Sequence, residues 1–259
     1  MFKAFRIFIL LFIFTGVALG AWRTRTQSVE WKYTLPVNIY LINGDGSPVA
    51  AEYLRALTVE DFKPIATFMH DEAARYGRAS KASIEIRLGQ IRPGGKIDAR
   101  PPAPPRNGSG LETIIWSLKM RWWAYRNTDT VGPGPQVKMF VLYFDPAQSK
   151  RLAHSTGLQK GLIGRVNTFA ASSMTKQNNV IIAHEFLHTL GATDKYDPAT
   201  NLPLFPDGYA IPDLDPLLPQ RFAEIMAGRT PLSKTEAETP AALEDALIGS
   251  KTAQEINWL

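Results

Sequence analysis

Residues 180–194 constrain the possible fold and function of this chain more than any other segment, because an apolar run is followed there by polar side chains at helical spacing. Four apolar residues lead directly into His184, Glu185 and, one turn later, His188. Residues four apart on an α-helix lie on one face, so both imidazoles can reach the same metal ion. Glu185 lies about 100° around the helix from His184, where it can address a metal-bound water. The segment predicts a buried helix with a metal site.

A third protein ligand has to follow the helix, since two histidines do not complete a zinc site. Gly191 comes three residues after His188, and glycine readily adopts the left-handed conformation that ends a helix. The resulting turn would bring Asp194 back under the helix, so Asp194 is the predicted third ligand. Asp197 is the nearest alternative, and weaker alternatives lie farther along the chain: Asp213, Asp215 and Glu224.

The cysteine and histidine content narrows the chemistry further. The 259 residues include no cysteine and four histidines. The chain therefore has no disulfide scaffold, cysteine nucleophile, iron–sulfur cluster or thiolate zinc site. His70 has no predicted partner. His154 is interpreted as a surface residue, with substrate binding or a secondary metal site as the alternatives.

Charge and aromatic residues give no sign of nucleic-acid binding. The formal net charge is +5, and the chain lacks a dense basic stripe with interleaved aromatic residues. Trp122 and Trp123 lie near Arg121 and Arg126, but this pattern is more typical of one face of an amphipathic helix. We therefore expect no nucleic-acid partner.

The body of the chain, residues 21–259, is predicted to form one mixed α+β domain. Alternating or continuous apolar runs predict strands, and spacing of three and four residues predicts helices. Predicted strands cover residues 31–41, 82–88, 137–144 and 161–170; predicted helices begin at Thr58, cover 111–125 and begin again near residue 176. Residues 92–110 contain five prolines and four glycines and are predicted to be a mobile loop insertion.

The N-terminus is typical of an export signal or an anchor. Lys3 and Arg6 precede an apolar stretch that ends in small residues, which predicts a signal peptide over residues 1–20. The alternative is membrane attachment through residues 7–22, although this run is slightly short for a spanning helix. We expect a secreted or periplasmic protein, or alternatively a single-pass anchored protein with its catalytic domain outside the cytoplasm.

Together these residues resemble the metzincin group of zinc metallopeptidases. The motif His-Glu-x-x-His-x-x-Gly-x-x-Asp, from His184 to Asp194, is similar to that of snapalysin-like secreted bacterial proteases. The family also has a methionine in a tight turn beneath the metal, for which Met226 is the candidate. The resemblance implies a zincin-like fold: a mixed twisted β-sheet, an active-site helix and a C-terminal helical subdomain.

The resemblance implies an exported, monomeric zinc metalloendopeptidase acting on peptides or proteins. His184, His188 and Asp194 would bind Zn²⁺, and Glu185 would be the general base for a zinc-activated water. Tyr196 would stabilise the oxyanion, unless it is only a packing residue. One alternative is an exported, non-catalytic zinc-binding module for protein interactions on the same fold. A weaker alternative is a zinc hydrolase acting on a non-peptide amide.

Two further expectations concern the substrate cleft. In the family an edge strand before the active helix pairs with extended peptide substrate, and residues 161–167 occupy that place in the sequence. Residues 197–219, rich in Pro and Asp, are expected to form the lower wall of the cleft. They contain no twelve-residue calcium-loop pattern, so a structural calcium ion is not predicted.

Overall fold

The computed structural model describes residues 2–78, 83–91, 100–105, 109–128 and 134–259. Its helices are α1 (Phe2–Val29), α2 (Pro48–Ala56), α3 (Lys63–Arg75), α4 (Gly110–Asn127), α5 (Thr175–Leu190) and α6 (Ser250–Glu255). Its strands are β1 (Leu35–Asn43), β2 (Ile84–Leu88), β3 (Val137–Phe144), β4 (Thr156–Leu158), β5 (Ile163–Phe169), β6 (Ala223–Glu224), β7 (Thr230–Pro231), β8 (Ala237–Glu238) and β9 (Ala246–Leu247). Short 3₁₀ turns precede α3 and α5.

A five-stranded mixed sheet is the centre of the fold, which confirms the expectation of a mixed sheet. Its strand order is β2-β1-β3-β5-β4. Neighbouring strands among the first four run parallel, and β4 pairs antiparallel with β5. The expectation that residues 161–167 form the edge is wrong, because β5 lies between β3 and β4. The edge strand on this side of the sheet is β4, which has three half-buried residues and so too little apolar alternation to be recognised from sequence.

Both faces of the sheet are buried, which explains the continuous apolar runs of its parallel strands. Alternate residues of β1 point to opposite sides: Val37 and Ile39 pack in the larger core with α3 and α5. Tyr40 packs in a smaller cluster with Met120 of α4 and with Phe140. The sheet therefore separates α4 from the helix that carries the two predicted histidine ligands.

The N-terminal helix α1 extends over 28 residues and is followed by Trp31, which is buried. Trp31 donates its indole N–H to the Ile256 carbonyl at 2.7 Å, and the Asn257 amide donates to the Val29 carbonyl. Within the described part of the chain, no helix combines the length and apolar content that crossing a bilayer requires. The signal-peptide assignment of residues 1–20 stays a prediction.

The predicted loop insertion is only partly described, since residues 92–99 and 106–108 lie outside the described residues. The described remainder contacts the domain: Pro101 is buried, and Trp116 of α4 donates its indole N–H to the Pro102 carbonyl at 2.9 Å. Ser109 caps α4 by accepting the Glu112 backbone N–H. Part of the proline-rich segment thus packs on α4, although its composition predicts a mobile loop.

The C-terminal part contains less helix than the expected helical subdomain. Among the described residues after α5, the regular helices are α6, with six residues, and one 3₁₀ turn. The small strand pairs β6–β9 and β7–β8 and irregular segments make up the rest. Eight prolines between residues 198 and 240 account for this, because proline lacks the N–H that a helix interior needs.

Candidate metal centre

Helix α5 presents the two histidines on one face, one turn apart. Ten of its sixteen residues are buried, which holds the helix rigidly between the sheet and the C-terminal part of the chain. The rings of His184 and His188 are perpendicular, with centroids 4.7 Å apart, and their Nε2 atoms are 3.1 Å apart. The predicted i, i+4 geometry is confirmed.

Gly191 ends α5 in the left-handed conformation, as its place in the sequence predicts. Its φ is +111°, and its N–H donates to the carbonyls of Leu187 and His188. The Ala192 N–H also donates to the Leu187 carbonyl, which completes a tight helix end. A side chain at this position would also collide with the amide of Gln159. The turn directs the following residues back towards the histidines.

Asp194 completes a compact set of three ligand atoms. Its Oδ1 lies 3.2 Å from His184 Nε2 and 3.1 Å from His188 Nε2, so the three atoms form a nearly equilateral triangle. Zinc bonds of about 2.0–2.1 Å in a tetrahedral site place neighbouring ligand atoms about 3.3 Å apart. The triangle therefore fits zinc with only a slight expansion. Among the described residues, these three are the ones found in a group of at least three potential metal ligands whose ligand atoms all lie within 4.8 Å of one another.

Backbone carbonyls orient both imidazoles. His184 Nδ1 lies 2.8 Å from the Ile225 carbonyl, and His188 Nδ1 lies 2.8 Å from the Ala192 carbonyl. A carbonyl can only accept, so each Nδ1 carries a proton and each Nε2 is the nitrogen available to a metal. The Ile225 contact links the site to a segment 41 residues away in sequence.

Without a metal, the three ligands form an ion-paired cluster. Burial by itself would lower the pKa of His184, but its hydrogen bond to Asp194, the charge of nearby Glu185 and its bond to Ile225 raise the pKa to about 9. Burial would raise the pKa of Asp194, but the two imidazoles hold that pKa well below its usual range. These opposite changes in pKa favour an ion pair between the His184 imidazolium and the Asp194 carboxylate at neutral pH.

We expect zinc affinity to rise with pH. His184 with a pKa of about 9 is protonated at neutral pH, so zinc must displace at least that proton, whereas Asp194 is already ionised. The apparent affinity should increase about tenfold per unit between about pH 6 and pH 8. Competition titrations against a chromophoric chelator across this pH range measure how steeply the apparent zinc affinity changes with pH. An affinity that does not change with pH would contradict the assignment of His184.

Glu185 extends from the same helix into the site. The residue is 6% exposed, and burial raises the pKa of its carboxyl above the usual value. The Gly157 backbone N–H donates to this carboxyl, and both histidines oppose the increase in pKa by their charge. Its Oε2 atom is buried and has no hydrogen-bond partner among the described residues. Glu185 thus offers an unsatisfied acceptor beside the three ligand atoms.

A cavity of about 460 Å³ opens onto the three ligands. Glu185, Tyr196 and the β4 residues Thr156 and Gly157 also line it. Burial, together with the charges of Asp194 and Glu185, raises the pKa of Tyr196, which keeps its phenol neutral and able to donate. The predicted oxyanion residue therefore faces the same space as the ligands.

The other two histidines have different surroundings. His154 is exposed and lies at the rim of the metal-site cavity, as its substrate-binding alternative requires. His70 is exposed on α3 and does not line that cavity. Asn167 of β5 donates to the carbonyls of Ala153 and His154, which ties this rim to the sheet.

The alternative third ligands lie outside the triangle. Asp197 accepts the backbone N–H groups of Ala199 and Thr200, which stabilise its own turn and lower its pKa. Glu224 is fully buried and accepts hydrogen bonds from three donors: the N–H groups of Ala227 and Gly249 and the hydroxyl of Thr252. Asp213 and Asp215 do not belong to the cluster and do not line its cavity.

Met226 lies in a tight turn, as the sequence predicts. The backbone carbonyl of Glu224, at the start of this turn, accepts the N–H groups of Ala227 and Gly228 at its end, and Gly228 has a φ of +68°. Met226 is fully buried, and its carbonyl accepts the Lys195 N–H at 3.0 Å. The turn therefore supports the Asp194 segment through Lys195 and orients His184 through the adjacent Ile225 carbonyl.

A partly buried ion pair that the sequence did not reveal also positions Asp194. The carboxylate of Glu255, at the end of α6, accepts the N–H and hydroxyl of Thr193 and lies 2.8 Å from Lys195 Nζ. Lys195 is 3% exposed. Thr193 and Lys195, on the two sides of Asp194, thus both bind the carboxylate of Glu255, which is 60 residues beyond Lys195. No local sequence pattern predicts this contact.

Gly157 allows β4 to approach helix α5, which carries the candidate ligands. A Cβ atom here would lie well inside van der Waals contact with the Glu185 carbonyl oxygen and His188 Cβ. Gly157→Ala should therefore cost about 1–3 kcal/mol of unfolding free energy and weaken zinc binding, because the helix backbone has to shift. Urea unfolding measures the first effect. Gly110→Ala is the matched control, since that position is open; equal midpoints for both variants would contradict the close packing.

The sequence was compared with protein-family models and with curated proteins, and neither comparison gives a match.

Proposed function

We propose that this chain is an exported, zinc-dependent metalloendopeptidase of the metzincin type. The observation that carries the proposal is the triangle of His184, His188 and Asp194 with the buried Glu185 carboxylate beside it, whose Oε2 atom has no hydrogen-bond partner among the described residues. A site that only binds a metal has no use for this carboxylate, whose burial costs free energy. A hydrolase needs a base at this position.

Each residue of the site has a defined role in the proposed mechanism. His184, His188 and Asp194 would hold Zn²⁺. Bound there, the ion supplies a Lewis acid that polarises the scissile carbonyl and acidifies water. Glu185 accepts the proton from the attacking water and donates it to the leaving amine, which its raised pKa favours. Tyr196 donates its phenolic O–H to the developing oxyanion.

The exposed edge of β4 is the proposed binding site for the substrate backbone. Within the described residues, β4 pairs only with β5, which leaves its outer edge for an added strand. Thr156 and Gly157 line the cavity beside Glu185, so a peptide paired with β4 would pass the ligand triangle. The role that the sequence suggested for residues 161–167 thus passes to the neighbouring strand.

A peptide-library digest tests the proposed function. Protein recovered from outside the cytoplasm of expressing cells should cleave peptides, lose activity with chelator and regain it with stoichiometric zinc. Mass spectrometry of the same sample would find Ala21 as the N-terminus if residues 1–20 are a cleaved signal peptide. Zinc binding near one ion per chain with no cleavage would favour the non-catalytic interaction module. Cleavage that resists chelation would contradict the proposed mechanism.

A further inference from the structure

Helix α4 is apolar on two opposite faces. One face packs on the sheet through Trp116, Met120 and Ala124, all of which are buried. At about 100° per residue, the remaining apolar side chains fall on the opposite side of the helix, within a stripe about 100° wide. We call this the outer stripe; its members are Leu111, Ile114, Ile115, Leu118, Trp122 and Tyr125.

The outer stripe is exposed over its whole length. Leu111 and Tyr125, at its two ends, are each 68% exposed, and Leu118 in the middle is 55% exposed. A helix that is apolar all round is normally buried all round, and scattered surface apolar residues do not line up over four turns. The second face is therefore expected to contact an apolar partner.

The charges beside the outer stripe define that partner. Arg126 and Lys119 lie along one border of the stripe and Arg121 along the other, at about 70–90° from its centre. Glu112, at the first turn, is the acidic residue of the helix. Long cationic side chains on both borders of an apolar stripe can place their charges among anionic headgroups while the stripe enters the acyl boundary.

We propose that α4 docks parallel to the surface of an anionic phospholipid bilayer. The outer stripe enters the boundary between headgroups and acyl chains, and the flanking cations bind lipid phosphates. Trp122 and Tyr125 are the amphipathic aromatic residues typical of this depth, and the Arg126 guanidinium lies 5.9 Å from the Trp122 ring centroid. Pairing of two copies through this face would bring cations against cations, which disfavours a dimer. The proposal is independent of the proposed peptidase activity.

A single fluorescent label tests the proposal in the full chain. The chain has no cysteine, so Leu118→Cys creates a unique site for an environment-sensitive fluorophore. Its emission should shift to the blue with vesicles of equal parts phosphatidylcholine and phosphatidylglycerol. Thr113→Cys is the matched control, because Thr113 is exposed on the same helix but faces away from the stripe. Helix α1 is present in both variants, so membrane contacts of α1 cannot produce the difference between them.

The affinity for vesicles is measured with a second variant, which is compared with the parent protein by vesicle sedimentation. Ile114→Gln/Leu118→Gln/Trp122→Gln changes only exposed side chains and should weaken vesicle binding at least about tenfold in sedimentation assays. The parent protein should also bind more weakly to neutral phosphatidylcholine vesicles, and more weakly to the anionic vesicles in about 1 M salt. An unchanged emission at Leu118→Cys, or equal binding to neutral vesicles, would overturn the proposal. A blue shift without vesicles that grows with protein concentration would show self-association instead and would overturn it too.

Discussion

Glu185→Gln is expected to lower peptide hydrolysis by a factor of about 10²–10⁴ while the protein keeps its zinc and its fold. Glutamine has the shape of glutamate but cannot accept the proton from the attacking water. The residue is not one of the three atoms of the ligand triangle, so the metal site should survive. Rates of cleavage of a fluorogenic peptide found in the library digest, together with elemental analysis for zinc, measure both effects.

The unfolding free energy of this variant should stay equal to that of the parent or increase. Burial raises the pKa of the Glu185 carboxyl, which means that the folded state disfavours its charge, and glutamine removes that charge. Glu52→Gln, on the exposed surface of α2, is the matched control and should leave the rate unchanged. Full activity of Glu185→Gln would exclude it as the general base. Loss of zinc together with activity would assign it a structural role instead.

Asp194→Ala should lower zinc affinity by at least about a hundredfold and abolish the activity that depends on the metal. Removing the carboxylate leaves two imidazoles, and a catalytic zinc site takes three protein ligands. The effect should exceed the roughly 10–100-fold loss typical of groups that only support a ligand. Competition with a chromophoric chelator measures the affinity, and zinc should raise the melting temperature of the parent but not of the variant.

Asp197→Ala is the control that separates the two aspartates suggested by the sequence. Asp197 accepts hydrogen bonds within its own turn and lies outside the ligand triangle. Its replacement should leave zinc affinity within about twofold of the parent, since only a surface turn is affected. If Asp197→Ala loses zinc and Asp194→Ala retains it, the third ligand is Asp197, and the loop has to rearrange when the metal binds.

The positions of the two histidines, of Glu185 and of the helix end could be predicted because they depend on local geometry. An α-helix repeats every 3.6 residues, so a spacing of four places His184 and His188 together in any fold that keeps this helix. Gly191 ends the helix for an equally local reason, the left-handed φ that glycine adopts without strain. The strand Val137–Phe144 was predicted with its observed bounds, because a strand buried on both faces has a continuous apolar pattern.

The edge strand and the C-terminal part were predicted wrongly because they depend on packing between distant segments. Strand β4 is short and lacks alternation, and its position is determined by pairing with β5 and by contact of Gly157 with α5. Helical content after α5 was overestimated, although the frequent prolines were visible in the sequence. The pair Trp122 and Trp123 is predicted to lie on one face of an amphipathic helix, whereas Trp122 is exposed and Trp123 packs against the smaller core cluster on the sheet.

The sequence alone therefore determined the candidate ligand residues, their helical spacing and the glycine that turns the chain back. Only the tertiary structure shows that Asp194, and not Asp197, lies beside the two histidines, because Glu255 and Met226 bind the residues next to Asp194 from far along the chain. It also determined which imidazole nitrogen faces the site, because the Ile225 carbonyl binds the other one. Local backbone geometry repeats wherever a helix forms, whereas contacts across 30 to 60 residues exist only once the whole domain has packed.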